Sequence, residues 1–476
     1  MAILAIDQGT SGTKVLLLDG DLIISRASSH VEVSHLSDRR VECDPEAIWK
    51  SIVLAITEAM SKVNYTRINI EAVSLANQGE SVLAWNRKSL EPLSPVIVWQ
   101  DSRSENLCKS RAKHAERIRE LSGLENDPYF VAPKIRWLAD NYSPNSTITT
   151  LDTWLIAKFT NAFVTDISTA SRSMLLNLQT GNWDQELLKI WQLENHELPE
   201  IVNNDVVLGE VIAPDLPMLK GVPLAGLIVD QAAALLAENC LELGEAKCTY
   251  GTGAFLLSNI GDQPKISNNK LSTSFAWNIS GLIRFYEDGQ IFTAASAVDW
   301  MITNQIIKSL EDIDSLPMDT EGVYALPGFA GYGAPRWQPQ GSAIIAGLTL
   351  GSTKEHIARA ILNGIAAQVT ELTQVITKDG SKINMMRVDG GLTQSKTLMQ
   401  FQADIAQVEI EVFPHPDATA IGVGVLGRLA IDKTAKLTSA LPPVNSKLSY
   451  SPKWSKDQAE TFMNDWLLST SQGQRN

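Results

Sequence analysis

Along its first eighty residues the chain alternates between apolar runs and short polar punctuation. The run Ala2-Ile-Leu-Ala-Ile6 meets the polar stretch Asp7-Gln-Gly-Thr-Ser-Gly-Thr-Lys14, then Val15-Leu-Leu-Leu18, the turn Asp19-Gly-Asp21 and Leu22-Ile-Ile24. Short apolar runs broken by Gly and Asp predict three strands joined by two tight turns. Asp44-Pro45 then reads as an N-cap with proline at the first helical position, and Ile48, Ile52, Ala55, Ile56 and Ala59 recur at three-and-four spacing. That pattern predicts an amphipathic helix. Ile70 to Ala76 predicts a further strand, ending in the polar cluster Asn77-Gln-Gly-Glu80. Strands and helices alternate, with polar residues collecting where strands end, so the expected class is α/β with a hairpin-rich sheet edge.

The second half restates the opening. Thr249-Tyr-Gly-Thr-Gly253 is followed by Ala254-Phe-Leu-Leu257 and Ser258-Asn-Ile-Gly-Asp262, much as Gly9-Thr-Ser-Gly12 is followed by Val15 to Leu18 and Asp19 to Asp21. One Gly-Thr-Gly is weak evidence, but two hairpins at equivalent places suggest two related domains facing one ligand. A chain of 476 residues also exceeds what one core organises. The expected division is 1–238, 239–442 and a tail at 443–476, with the boundary near Leu236 to Glu245. Within the second unit, Met385-Met-Arg-Val388 predicts a strand ending at Asp389-Gly-Gly391, and Leu398, Phe401 and Ile405 predict a helix opening at Ser395. A Pro/Ser-rich stretch from Pro442 leads to a last helix near Ala459 to Leu468.

Charge narrows the function classes. A formal net charge of −14 leaves no general basic face for nucleic acid or an anionic membrane. The four cysteines, Cys43, Cys108, Cys240 and Cys248, lack metal or disulfide-scaffold spacing, which fits a reducing cytoplasm. The opening apolar run is short and lacks a basic region before it, so no signal peptide is expected, and no stretch reaches membrane-spanning length.

Candidate chemistry gathers at the turns. The first turn offers backbone N–H groups, hydroxyls and a cation, a setting for phosphate oxygens, or for an ordinary polar hairpin. Asp7 would repel phosphate unless Mg2+ stood between them. Asp230-Gln231 sits where the apolar strand Leu224 to Val229 meets the helix beginning Ala232-Ala-Ala-Leu-Leu-Ala237. Asp230 there is either the helix N-cap or a general base at a strand's C-terminal end. The six histidines share no ligand or triad spacing, and no Walker A sequence occurs. Gly422-x-Gly424-x-x-Gly427 matches a dinucleotide fingerprint in letters, yet lies in a helical run of small residues, where close packing explains it better.

Taken together, Asp7-Gln-Gly-Thr10, Ile97-Val-Trp-Gln100, Asp127-Pro-Tyr-Phe130, Pro133-Lys-Ile-Arg-Trp137, Asp230-Gln231, Thr249 to Phe255, Gly333-Ala-Pro-Arg-Trp337 and Val388-Asp-Gly-Gly391 resemble the FGGY family of carbohydrate kinases nearly end to end. The resemblance is greatest to its glycerol-phosphorylating branch. It implies a two-domain actin-like, ribonuclease H-like ATPase fold around a central cleft, and ATP-dependent phosphorylation of a small polyol. Glycerol is the first expectation, a larger polyol or a pentulose the alternative, and an actin-like ATPase module a rival of another class. By the same resemblance Asp230 is the catalytic base, and Glu80, Trp99, Tyr129, Asp230, Gln231 and Phe255 bind the polyol. Asp7 holds the Mg2+ site. Thr10, Ser11, Lys14, Gly251, Thr252, Ala295, Asp299, Gly391 and Ser395 contact ATP. The implied partner is a small-molecule polyol, with homodimer or homotetramer assembly.

The chain also departs from the family pattern. Gly79 stands where an arginine that binds a substrate hydroxyl is usual, Lys14 where arginine is usual, and Ala295 and Asp299 where glycine and glutamine are usual.

Overall fold

The computed structural model describes residues 1–63, 68–338, 340–444, 446 and 448–471. Its first sheet runs in the order Val207–Glu210, Pro223–Val229, Ile70–Asn77, Ala2–Gly9, Gly12–Asp19, Leu22–His30. The central three strands are parallel, and the hairpin strands add antiparallel edges. Helix Pro45–Ser61 covers one face, opened by Asp44, whose carboxylate accepts from the Glu46 N–H at 3.0 Å. Ile48, Ile52, Ala55, Ile56 and Ala59 are all buried there, as their spacing predicts.

The second sheet repeats this plan. Glu245–Tyr250 pairs antiparallel with Ala254–Gly261 and parallel with Met385–Asp389, which in turn pairs parallel with Glu409–Val412. One expectation is corrected. Ser258 to Ile260 do not turn but continue the strand to Gly261, and its sheet neighbour is Leu282–Ile291, with Ser272–Ile279 beyond. A longer strand lets the second hairpin bury more edge before the chain reverses. The last helix runs over Lys456–Ser471, longer than its apolar spacing suggests, and Trp466 donates its indole N–H to Ala325 O at 2.8 Å. In the stretch after Pro442, positions 445 and 447 lie outside the described residues.

Two helices join the halves. Asp230–Ala237 follows the third parallel strand of the first sheet, and Ala418–Ile431 returns from the second half to pack on that helix and on strands Ala2–Gly9, Ile70–Asn77 and Pro223–Val229. Their shared core takes Ala5 and Leu16 from the first sheet and Leu257 and Trp277 from the second. The Gly422/Gly424/Gly427 spacing is explained here. A side chain at Gly422 would strike the Ala233 carbonyl, and one at Gly427 the Ser74 hydroxyl, so the helix lies on its neighbours backbone to backbone. No nucleotide loop is involved. Among the described residues no helix is long and apolar enough to cross a membrane.

Candidate active site

Both polar hairpins open toward one cleft of about 900 Å3 between the two halves. Their geometry shares a cause. A side chain at Gly12 would meet Ser29 O at 2.6 Å, and one at Gly253 would strike Ile291 O, so in each hairpin the second glycine lets a neighbouring strand press against the turn. The second turn is pinned further: Ala295 N donates to Gly251 O at 2.9 Å and Ala294 N to Thr252 O at 2.8 Å, tying it to helix Ala295–Thr303.

The cleft wall is aromatic. Trp99 stands edge-on to Tyr129 at 5.8 Å and to Phe255 at 5.9 Å. Its indole N–H donates to Thr10 Oγ1 at 2.8 Å, which joins the wall to the first hairpin turn. Beside it lie Glu80, Asp230 and Gln231. Glu80 has a φ of +52°, an uncommon backbone for a residue with a side chain, held because both its ends are bonded. Arg172 Nε donates to Glu80 Oε1 at 2.6 Å, and Lys134 Nζ donates to Glu80 O at 3.0 Å. Lys134 also donates to the carbonyls of Trp99 and Tyr129, so one buried ammonium ties together the backbones of three wall residues. Burial pulls its pKa down to about 8.

Asp230 is not the helix cap. Val229 occupies that position and Asp230 is the first helical residue, its carboxylate accepting, among the described residues, only the adjacent Gln231 N–H at 2.7 Å. Burial, then the neighbouring carboxylates of Asp7 and Glu80, push its pKa up to about 7, against that N–H and the Lys247 ammonium. A carboxyl poised near neutrality inside a cleft suits proton transfer. Asp7 rises to about 6, mainly through burial, with Lys14 opposing and Asp417 adding to the rise. Lys247, from the second sheet, holds Gln231 Oε1 at 2.5 Å and Thr249 Oγ1 at 2.8 Å.

The cleft therefore brings together Thr10, Ser11, Glu80, Trp99, Tyr129, Asp230, Gln231, Thr252 and Phe255. Other expected contacts lie off its wall. Lys14 sits on the strand after the turn, half exposed, 3.7 Å from Asp417 Oδ1. Asp299 is exposed on helix Ala295–Thr303. Space is open beside Gly391. Ser395 is committed elsewhere: it caps helix Lys396–Ala406 by accepting from Leu398 N at 3.1 Å, and it donates to Asp314 Oδ1 at 2.6 Å. Asp314 also accepts from the N–H of Thr397 at 3.1 Å, so an acidic side chain already occupies this helix N-terminus.

Sequence reasoning passed over Arg172, Lys134 and Lys247. A lysine on the otherwise apolar buried side of helix Val131–Asn141 is a readable signal. Arg172 had none, because its acidic partners stand 92 and 116 residues away.

Comparison with known proteins agrees with this geometry. Residues 2–237 match the N-terminal domain of the FGGY family of carbohydrate kinases, and residues 246–431 match its C-terminal domain. The glycerol kinase of Alkalilimnicola ehrlichii is 37% identical over 98% of this chain and 97% of its own length. That of Mycoplasmoides gallisepticum is 35% identical over 98% and 96%. The crystal structure of Plasmodium falciparum glycerol kinase with ADP superposes with a TM-score of 0.92 at 31% identity, covering 100% of this chain and 98% of that one. A ligand-bound xylulose kinase from Lactobacillus acidophilus shares the fold, with a TM-score of 0.89 at 21% identity over 99% and 97% of the two chains. Matched in both halves and over nearly its full length, the chain belongs to the FGGY family of carbohydrate kinases.

Proposed function

We propose that the protein transfers the γ-phosphoryl group of ATP to a terminal hydroxyl of glycerol. The observation that carries this reading is the place of Asp230: a half-buried carboxyl between an aromatic wall and two polar hairpins, with its pKa pushed up to about 7. Trp99, Tyr129 and Phe255 cover the carbon chain, while Glu80 and Gln231 accept from and donate to hydroxyls. Asp230 takes the proton as the substrate O–H breaks, the freed oxygen bonds to γ-phosphorus, and the bond from phosphorus to the bridging oxygen breaks to release ADP. Such a transfer needs in-line positioning and charge neutralisation more than covalent help. Backbone N–H groups at Thr10, Ser11, Gly251 and Thr252 meet the phosphates, and open space at Gly391 admits the adenosine.

The donor set suits Mg2+. Among the described residues no cluster of three or more His, Cys, Asp or Glu side chains could hold a metal alone. A single half-buried carboxylate, Asp7, supplemented by water and phosphate oxygens, fits a hard cation that keeps part of its hydration shell. When bound, the ion neutralises phosphate charge; Asp7 holds it. All four cysteines are unbridged and buried, which supports a reducing cytoplasm as the setting.

A larger polyol or a pentulose is the second reading, favoured by the missing side chain at Gly79. Against it, Val229 Cγ2 lies 3.0 Å from where that side chain would begin, so the vacated volume is partly filled. ADP release measured with glycerol, erythritol, xylitol, D-xylulose, D-ribulose and no acceptor tests the proposal. Glycerol should give the highest kcat/KM, and the product should be glycerol 3-phosphate. A pentulose preference, or equal ATP turnover without any acceptor, would overturn it.

A further inference from the structure

Behind the cleft wall, Arg172 is, like Lys247, a buried cation whose bonds cross between the two halves. Arg172 closes the short helix Ile167–Ser171, and its side chain is 4% exposed. Its Nε donates to Glu80 Oε1 at 2.6 Å. The other end of the guanidinium reaches the second sheet: Nη1 donates to Asp288 Oδ1 at 2.7 Å and Ser274 Oγ at 3.1 Å, and Nη2 to Asp288 Oδ2 at 3.2 Å. Its Cζ lies over the Phe130 ring, 5.2 Å from the ring centre, with the rings of Tyr129 and Tyr286 also close. Such a fork, fixed by a bidentate acid and aromatic faces, has one orientation, which a lysine cannot reproduce.

Glu80 receives that orientation. Arg172 engages only Oε1, and among the described residues no side chain bonds Oε2, so that oxygen remains for a ligand hydroxyl. The neighbouring Gly79 provides no cation, so neutralisation of Glu80 falls to a residue far away in sequence. We infer that Arg172 is a positioning residue for the polyol: it sets and neutralises the Glu80 carboxylate, and its bidentate bond to Asp288 makes that setting depend on the second half of the chain. This rests on the polyol kinase reading above, yet it is separable from the identity of the polyol.

The test is a steady-state comparison of wild type, Arg172→Gln, Arg172→Lys and Asp288→Asn, using the acceptor of highest kcat/KM in wild type, with melting curves for each. Arg172→Gln should raise the acceptor KM at least about tenfold and leave the ATP KM within about twofold. Arg172→Lys should recover part of that loss, because it returns the charge without the fork. Asp288→Asn keeps size and leaves Arg172 on Glu80, and should raise the acceptor KM by about threefold with ATP again unaffected. Folded Arg172→Gln with an unchanged acceptor KM, or with the two KM values rising together, would overturn the inference. If Arg172→Gln does not fold, Asp288→Asn decides, and an unchanged acceptor KM there overturns it too. A wild type preferring another acceptor to glycerol would overturn the glycerol reading while leaving the Arg172 comparison interpretable.

Discussion

Val229 Cγ2 lies 3.0 Å from the point where a side chain at Gly79 would start, so the residue before the proposed base and the missing arginine share one space. Gly79→Arg alone should therefore lower kcat/KM for glycerol, by about fivefold or more, because its first carbon crowds the strand end that carries Asp230. Adding Val229→Ala makes room. The double variant should match or exceed wild type on glycerol, since one recovered charge-assisted hydrogen bond contributes roughly 1.5–3 kcal/mol. Parallel kcat/KM measurements on both variants decide the matter; a gain from the single change would mean that Val229 yields freely.

Asp230→Asn should leave ATP binding nearly intact and lower kcat by at least about a hundredfold, the scale expected for loss of a general base. It should also change how stability responds to pH. With a folded pKa near 7 against an ordinary 3.8, the native state holds its proton more tightly than the unfolded chain. The stabilisation is full below the unfolded value and is lost as pH rises through about 7. Over pH 5.5 to 7 that loss is about 2 kcal/mol for Asp230 and is absent from the variant. Thermal melts of the ligand-free proteins should show the variant gaining on wild type across this window. A constant difference would place the carboxyl's pKa outside it.

Asp7→Ala acts on the metal instead of the hydroxyl. Its signature should be a sharply raised Mg2+ concentration for half-maximal rate, with the acceptor KM little changed. An Mg2+ titration overlying wild type would exclude Asp7 from the metal site.

Lys134→Met should loosen the polyol wall, because four carbonyl oxygens lose their shared donor. Buried acceptors left without a partner cost about 1–3 kcal/mol. The expected result is a lower melting temperature together with a raised acceptor KM. A variant of wild-type stability and affinity would reduce Lys134 to packing.

Local elements are legible in the sequence because local forces make them. Asp44-Pro45 caps a helix, the hairpin glycines follow from close strand approach, and the Gly422 spacing comes from helix packing. What remains hidden is whatever depends on distant partners. Ser395 reads as a residue at an open helix N-terminus, and only the fold shows Asp314 already bonded there. Arg172 looks like any surface arginine until the sheets bring Glu80 and Asp288 to it. The Ser258 to Ile260 stretch carries turn residues, yet the neighbouring strand Leu282–Ile291 keeps it extended.

Helix Ala418–Ile431 has a consequence for how the chain is made. It is the cover of the first sheet, packed on strands that begin at Ala2, yet nearly the whole polypeptide must leave the ribosome before it exists. Until then the faces of Ile3, Ala72 and Ala225 that meet Ala430 have nothing against them. The opening strands can pair early through their hairpins, but the first half cannot close its core during synthesis and must wait, partly open, for the return of the second.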